Sequence, residues 1–309
     1  MENGINTVSV YGDSILKGAV TGTGSGHLFD ITKNDSLSLA AAKLGFKLNN
    51  QSVFGNIITK SYKRFLRDAE RNALGDLAII ESGGNDCDYD WAQVCSGENT
   101  NPRVSIDEFI STIDKMAKTC RQNGTTPLIM TMPPLVPDRW LLHICRGYDE
   151  EKVKAFVNSD IMTLYQNHET YNAHLVKYSF QNNVQIVDMR LAFLESKKDK
   201  ELMCQDGIHP NEAGYRFMAE IWEKELPKGV SGLLLGGGYP ELYAEALSAN
   251  ESMRESIKKA VKDGMPTLAE CGGFLYLHET LEPKEEVFPM AGVLQGKGFN
   301  AGKLVRFGY

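Results

Sequence analysis

Between residue 7 and about residue 226, short β-rich runs alternate with amphipathic helical stretches, and this alternation constrains the fold more than any other feature of the chain. A strand that is followed each time by a helix returns to its sheet in parallel, and a sheet so built is covered by helices on both faces. Thr7–Tyr11 (TVSVY), Leu77–Glu81 (LAIIE), Pro127–Met132 (PLIMTM) and Val184–Asp188 (VQIVD) read as strands, with Lys47–Asn50 a weaker candidate. Between them Ile57, Ile58, Tyr62, Phe65, Leu66 and Ala69 recur three to four apart, as do Ile106, Phe109, Ile110, Ile113, Ala117 and Cys120. Asn211 is placed to cap a last helix with the stripe Ala213, Phe217, Ile221 and Trp222, closed by Pro227 and Gly229. The pattern predicts an α/β protein, a three-layer α/β/α sandwich.

A chain of 309 residues exceeds what one core usually organises, so a large domain and a smaller unit are expected, at 1–228 and 229–309. With 42% hydrophobic and 24% charged residues, the chain can bury a sizeable core and does not read as disordered. Net charge is −7 and no stretch gathers a Lys/Arg cluster, which argues against a nucleic-acid partner. Met1–Val10 lacks a basic segment followed by a long apolar run, and no segment approaches the roughly 18 apolar residues of a membrane span, so a cytoplasmic location is expected. The six cysteines include no C-x-x-C pair and H-E-x-x-H is absent; reduced thiols are expected, and neither a metal nor another cofactor is.

In a parallel sheet, chemistry gathers beyond the carboxyl ends of the strands. Gly12-Asp13-Ser14-Ile15 follows the first strand, Gly83-Gly84-Asn85-Asp86 follows the third, and Asp206-Gly207-Ile208-His209-Pro210-Asn211 precedes the last helix. An Asp three residues before a His on one loop can fold its carboxylate onto the imidazole Nδ1–H, leaving Nε2 to take a serine proton. The glycine-rich Gly22–Gly26 (GTGSG) matches neither G-x-G-x-x-G nor the P-loop and reads as a flexible loop. Loops at Lys17–Asp35, Cys87–Arg103 and Pro133–Tyr148 leave the strand edge, and their Tyr89, Trp91, Arg139, Trp140 and His143 are expected to form pocket walls.

Together these blocks resemble the SGNH (GDSL-like) hydrolase family, whose Ser, Gly, Asn and His fall here on Ser14, Gly55 (in Asn50–Asn56, NQSVFGN), Asn85 and His209. The resemblance spans about residues 7 to 226 and implies a flavodoxin-like parallel sheet. It further implies a serine esterase acting on a small-molecule carboxylic (acyl or acetyl) ester, with catalytic Ser14, Asp206 and His209. The oxyanion hole would be formed by the Ser14 and Gly55 backbone N–H groups and the Asn85 side-chain amide. No G-x-S-x-G occurs, so the nucleophile elbow of the α/β-hydrolases is absent.

After Gly229 a new strand and glycine turn begin at Val230–Glu241, and Thr267–Gly273 (TLAECGG) sets Cys271 after a short strand. Residues 230–309 resemble the glutamine amidotransferase domain of cobyrinic acid a,c-diamide synthase. The resemblance makes Cys271 a glutaminase nucleophile, with Gly237 and Gly238 near its oxyanion site. The family's catalytic His lies further along than Tyr309, and its first strands and ATP-binding domain are missing, so Cys271 is expected to be vestigial. Such a fragment is expected to expose apolar strand edges unless it docks on the hydrolase domain or on a second chain. Readings ranked below the ester hydrolase are a corrinoid-pathway amidotransferase component and a non-catalytic binding module.

Overall fold

A computed structural model describes residues 5–22, 27–226, 232–284 and 286–299, which divide into two compact units, one within 4–228 and the other within 229–309. Both Pro227 and Gly229, and the GTGSG loop from Thr23 onward, lie outside the described residues. In the first unit β1 (Thr7–Tyr11), β2 (Lys47–Asn50), β3 (Leu77–Ile80), β4 (Thr126–Met130) and β5 (Gln185–Val187) form a five-stranded sheet in the order β2-β1-β3-β4-β5. Every pairing is parallel. That order is the flavodoxin-like one, with its crossover point at β1 and β3. Three strands end earlier than their apolar runs; Glu81 N and Thr131 N still donate to Tyr11 O and Val187 O on the neighbouring strands, but the residues after them leave the ladder. Asp188 accepts from Leu191 N and starts a helix instead of extending β5.

Strand side chains alternate between two cores. Val8, Val10, Leu77, Ile79, Leu128, Met130 and Val187 pack on one face, and Tyr11, Ala78, Ile80 and Ile129 pack on the other. The helices of the unit include α1 (Ser14–Lys17), α2 (Ser36–Leu44), α3 (Ile58–Glu70), α4 (Ile106–Gln122), α5 (Pro137–Gly147), α6 (Met162–Gln181), α7 (Met189–Ser196) and α8 (Glu212–Glu225). On the first face α2, α7 and α8 cover the sheet with Leu37, Phe193, Tyr215 and Trp222. On the second, α3, α4 and α6 do so with Phe65, Phe109, Ile113 and Tyr171. Each of these large apolar side chains contributes about 1.5–3 kcal/mol on burial. Asn211 caps α8 by accepting from Ala213 N and Gly214 N at 3.0 Å each. A satellite cluster around Trp91, Ile144, Val153 and Leu164 lies under the loops that follow β3 and β4.

The second unit pairs β6 (Leu233–Leu235) with β7 (Thr267–Ala269) in parallel, followed by α9 (Gly272–Tyr276). A separate sheet joins β8 (His278–Glu282) to β9 (Phe288–Pro289) and β10 (Leu294–Phe299). Its core holds Ala244, Ile257, Tyr276, Leu277 and Leu281. Among the described residues no helix is long and apolar enough to cross a membrane.

Candidate active site

β1 stops at Tyr11 and the chain bends at Gly12, where any Cβ would sit 2.6 Å from Glu81 Oε2 and 2.9 Å from Ser52 Oγ. A side chain there would have to displace the Glu81 carboxyl and the Ser52 hydroxyl. Asp13 then accepts from Ile15 N at 2.8 Å and caps the one-turn helix α1, at whose start Ser14 lies. The opposing loop is equally constrained: Met203 bridges Pro210, Cys204 N donates to His209 O at 2.7 Å, and Val136 N donates to Gly207 O at 2.9 Å.

This loop brings His209 to Ser14 across 195 positions of sequence. His209 Nε2 lies 2.8 Å from Ser14 Oγ, and Nδ1 lies 2.6 Å from Asp206 Oδ2. A carboxylate only accepts, so Nδ1 carries the proton and Nε2 offers its lone pair to the serine hydroxyl. Asp206 Oδ1 also accepts from Ile208 N and His209 N. Burial works to raise the Asp206 pKa, yet the bond and charge of His209, with those two N–H groups, carry it below the usual carboxylate value. All three residues are buried, with Ser14 the most accessible at 8%.

Gly55, at φ +62°, and Asn85 line the cavity beside Ser14. Asn85 Nδ2 donates to Asp13 Oδ2 at 2.9 Å, which fixes the amide plane and leaves one N–H uncommitted. Asp86 accepts from Gly83 N at 2.9 Å and from Ile58 N at 2.8 Å, tying the Asn85 turn to α3. Behind them Glu81 Oε2 accepts from Asp13 N at 2.9 Å. Burial, with the Asp13 charge second, pushes Glu81 well above the carboxylate range. Burial likewise raises Asp13 and takes Asp86 to about 7.

The cavity has a volume of about 690 Å³. Phe29, Phe54, Leu135, Trp140 and Ile208 give it apolar walls, and Phe29 sets its ring edge-on to His209 at 5.2 Å. Tyr89, Trp140 and His143 stand in the wall as the loop reading expected. Trp91 and Arg139 correct it. Trp91 is buried in the satellite cluster with Nε1 on Asp88, and Arg139 donates to the Met203 and Cys204 carbonyls, bracing the histidine loop. Sequence reasoning missed Asp88, Arg103, Asn167 and His168, which make the polar part of the wall. The available signal for His168 was a polar interruption in the buried stripe Leu164, His168, Tyr171, Leu175 of α6.

In the second unit Cys271 sits between β7 and α9 with φ +49° and ψ −114°, a left-handed turn that forces its side chain out of the strand direction. A Cβ on Gly237 would touch Cys271 Cβ at 3.5 Å, and one on Gly272 would meet Gly238 O at 2.4 Å, so both glycines flank the cysteine. Among the described residues no histidine is hydrogen-bonded to Cys271; His278 turns Nδ1 to the Phe274 carbonyl at 3.0 Å.

Solved structures share the first unit's architecture. An alpha/beta hydrolase enzyme from the metagenome of Lake Arreo is 19% identical with a TM-score of 0.52, covering 71% of this chain and 94% of that one. An acetylxylan esterase from Geobacillus stearothermophilus is 20% identical with a TM-score of 0.51, covering 73% and 96%. The second unit is similar to cobyrinate a,c-diamide synthases: 47% identity over 88 residues with that of Caldanaerobacter subterraneus subsp. tengcongensis and 46% over 87 with that of Streptococcus sanguinis, each match covering 28% of this chain. The chain spans only about a fifth of the length of those relatives, 20% and 19%.

A CobB/CobQ-like glutamine amidotransferase domain model matches residues 207–306. Its first residues overlap a longer match, and in that overlap α8 buries Tyr215 in the first unit's core. The longer match, to residues 10–217, is to ester-bond hydrolases and takes in most of the chain, which therefore belongs to the GDSL-like lipase/acylhydrolase family.

Proposed function

We propose that this acyl ester hydrolase works through Ser14 as nucleophile, His209 as general base and Asp206 as the carboxylate that orients it. Serine is a weak nucleophile at its own pKa, so His209 Nε2 takes the Ser14 proton as Oγ attacks the acyl carbonyl, while Asp206 stabilises the imidazolium. His209 then returns the proton to the departing alkoxide, leaving an acyl-serine. Water, deprotonated by the same Nε2, releases the acid and restores Ser14. The negative charge on the tetrahedral oxygen is met by the Ser14 and Gly55 N–H groups and the free N–H of Asn85, donors already fixed before reaction. The substrate is a small carboxylic ester, acyl or acetyl.

The observation that carries this reading is the continuous Asp206–His209–Ser14 hydrogen-bond chain opening into the cavity. A fluorophosphonate probe should label Ser14, and Ser14→Ala should abolish both labelling and hydrolysis of short p-nitrophenyl esters. Substantial activity left in Ser14→Ala would point to another nucleophile.

A further inference from the structure

One stretch of the cavity wall carries hydrogen-bonding groups that the hydrolytic steps leave unused. Leu164, Asn167 and His168 reach it from one turn of α6. His168 is 5% exposed, and its Nδ1 lies 3.1 Å from an Arg190 guanidinium nitrogen. Guanidinium can only donate, so Nδ1 must be the acceptor and the ring proton must sit on Nε2. Burial, and then the Arg190 charge, hold this imidazole neutral by moving its pKa well below the ordinary histidine value. Arg190 is itself fixed, since the same nitrogen donates to the Met132 carbonyl at 3.2 Å. The Nε2–H has no partner among the described residues although the ring lines the cavity. A fixed donor that faces the cavity without a protein partner is a place for a ligand oxygen.

Asn167 supplies the complementary group. Its Nδ2 donates to the Cys87 carbonyl, an acceptor, which fixes the amide orientation and leaves Oδ1 as an acceptor. One preset donor and one preset acceptor on the same wall suit a group that both accepts and donates. A hydroxyl does so; a carboxylate only accepts, and an alkyl chain does neither. Resting on the hydrolase reading above, we propose that His168 and Asn167 form a hydroxyl-recognition subsite, and that the substrate is an ester carrying a further hydroxyl group.

The test uses the full chain and two ester pairs: glyceryl monoacetate against propyl acetate, and methyl 3-hydroxybutyrate against methyl butyrate. In at least one pair kcat/KM should favour the hydroxylated ester by about tenfold or more, because the analogue leaves the two polar groups unmatched. The pair that responds tells whether the alcohol or the acyl portion occupies the subsite. His168→Phe, which keeps the ring volume, and Asn167→Leu, at a half-buried position, should each move that ratio toward one. Ser14 labelling without a hydroxyl preference in either pair, or with a ratio that neither variant alters, overturns the subsite alone. Failure of the probe to label Ser14 overturns the hydrolase reading beneath it.

Discussion

An aspartate at position 85 would be nearly the size of the asparagine found there, but it would bring a second carboxylate within hydrogen-bond distance of Asp13 Oδ2 and could offer no donor to a developing oxyanion. The amide commits one N–H to Asp13 and keeps the other. Asn85→Ala should lower kcat by roughly 10²–10³, the usual effect of losing one oxyanion donor. Thermal unfolding should be little changed, and wild-type turnover in that variant would remove Asn85 from the mechanism. Beneath the site, Asp13, Glu81 and Asp86 are all displaced upward, first by burial. Unfolded carboxyls titrate near about 4, so the folded chain holds extra protons above that pH. Their contribution is therefore complete below about 4 and is lost as pH rises through the folded values, about 7 for Asp86. The melting temperature is expected to fall from pH 5.5 to pH 8.5. Glu81→Gln retains an acceptor for Asp13 N and removes one of the raised carboxyls, so it should flatten that fall; an unaltered slope would assign the fall to other groups.

Two glycine-dependent turns, one after β1 and one before α8, set the distance between Ser14 and His209. Gly207 has φ +79°, and a Cβ there would meet Val136 O at 2.5 Å and Trp140 N at 2.9 Å, both on the entry to α5. Gly207→Ala must push the loop off α5 and carry His209 with it, and misplacement approaching 1 Å costs up to about 10²-fold. We expect kcat/KM on p-nitrophenyl acetate to fall at least about tenfold with helical circular dichroism retained; full activity would show that the loop tolerates the shift. The Asp-x-x-His spacing was legible because the contact is local, three residues apart on one loop. Trp91 and Arg139 were misread because sequence identifies a loop but not the direction its side chains take. Trp91 turns into an apolar cluster assembled from four separate segments, and Arg139 turns to carbonyls more than sixty positions away. His168 stayed hidden for the same reason, its tautomer being set by Arg190 from another helix.

The molecule is two units with different chemistry, and each buries its own core. In the second, Leu234 and Leu268 are register partners on adjacent strands and stand 73% and 66% exposed. Cys271 sits at a strained turn between β7 and α9, and no described histidine is hydrogen-bonded to it to serve as the base of a glutaminase. Glutamine incubated with this chain should therefore yield no glutamate. Release that disappears in Cys271→Ser would establish a glutaminase here.

Sequence alone determined the three layers and the strands, because periodicity is a local property that survives without coordinates, and the resemblance of its short blocks to a known family singled out Ser14, Asp206, His209, Gly55 and Asn85 as candidates. The three-dimensional fold decided what is non-local: the 2.8 Å meeting of Ser14 with His209, the stacked carboxyls under them, and the polar wall on α6. Those depend on which faces of distant elements come together, and a side chain's partners and its burial, which set its charge and proton, exist only after the chain has packed.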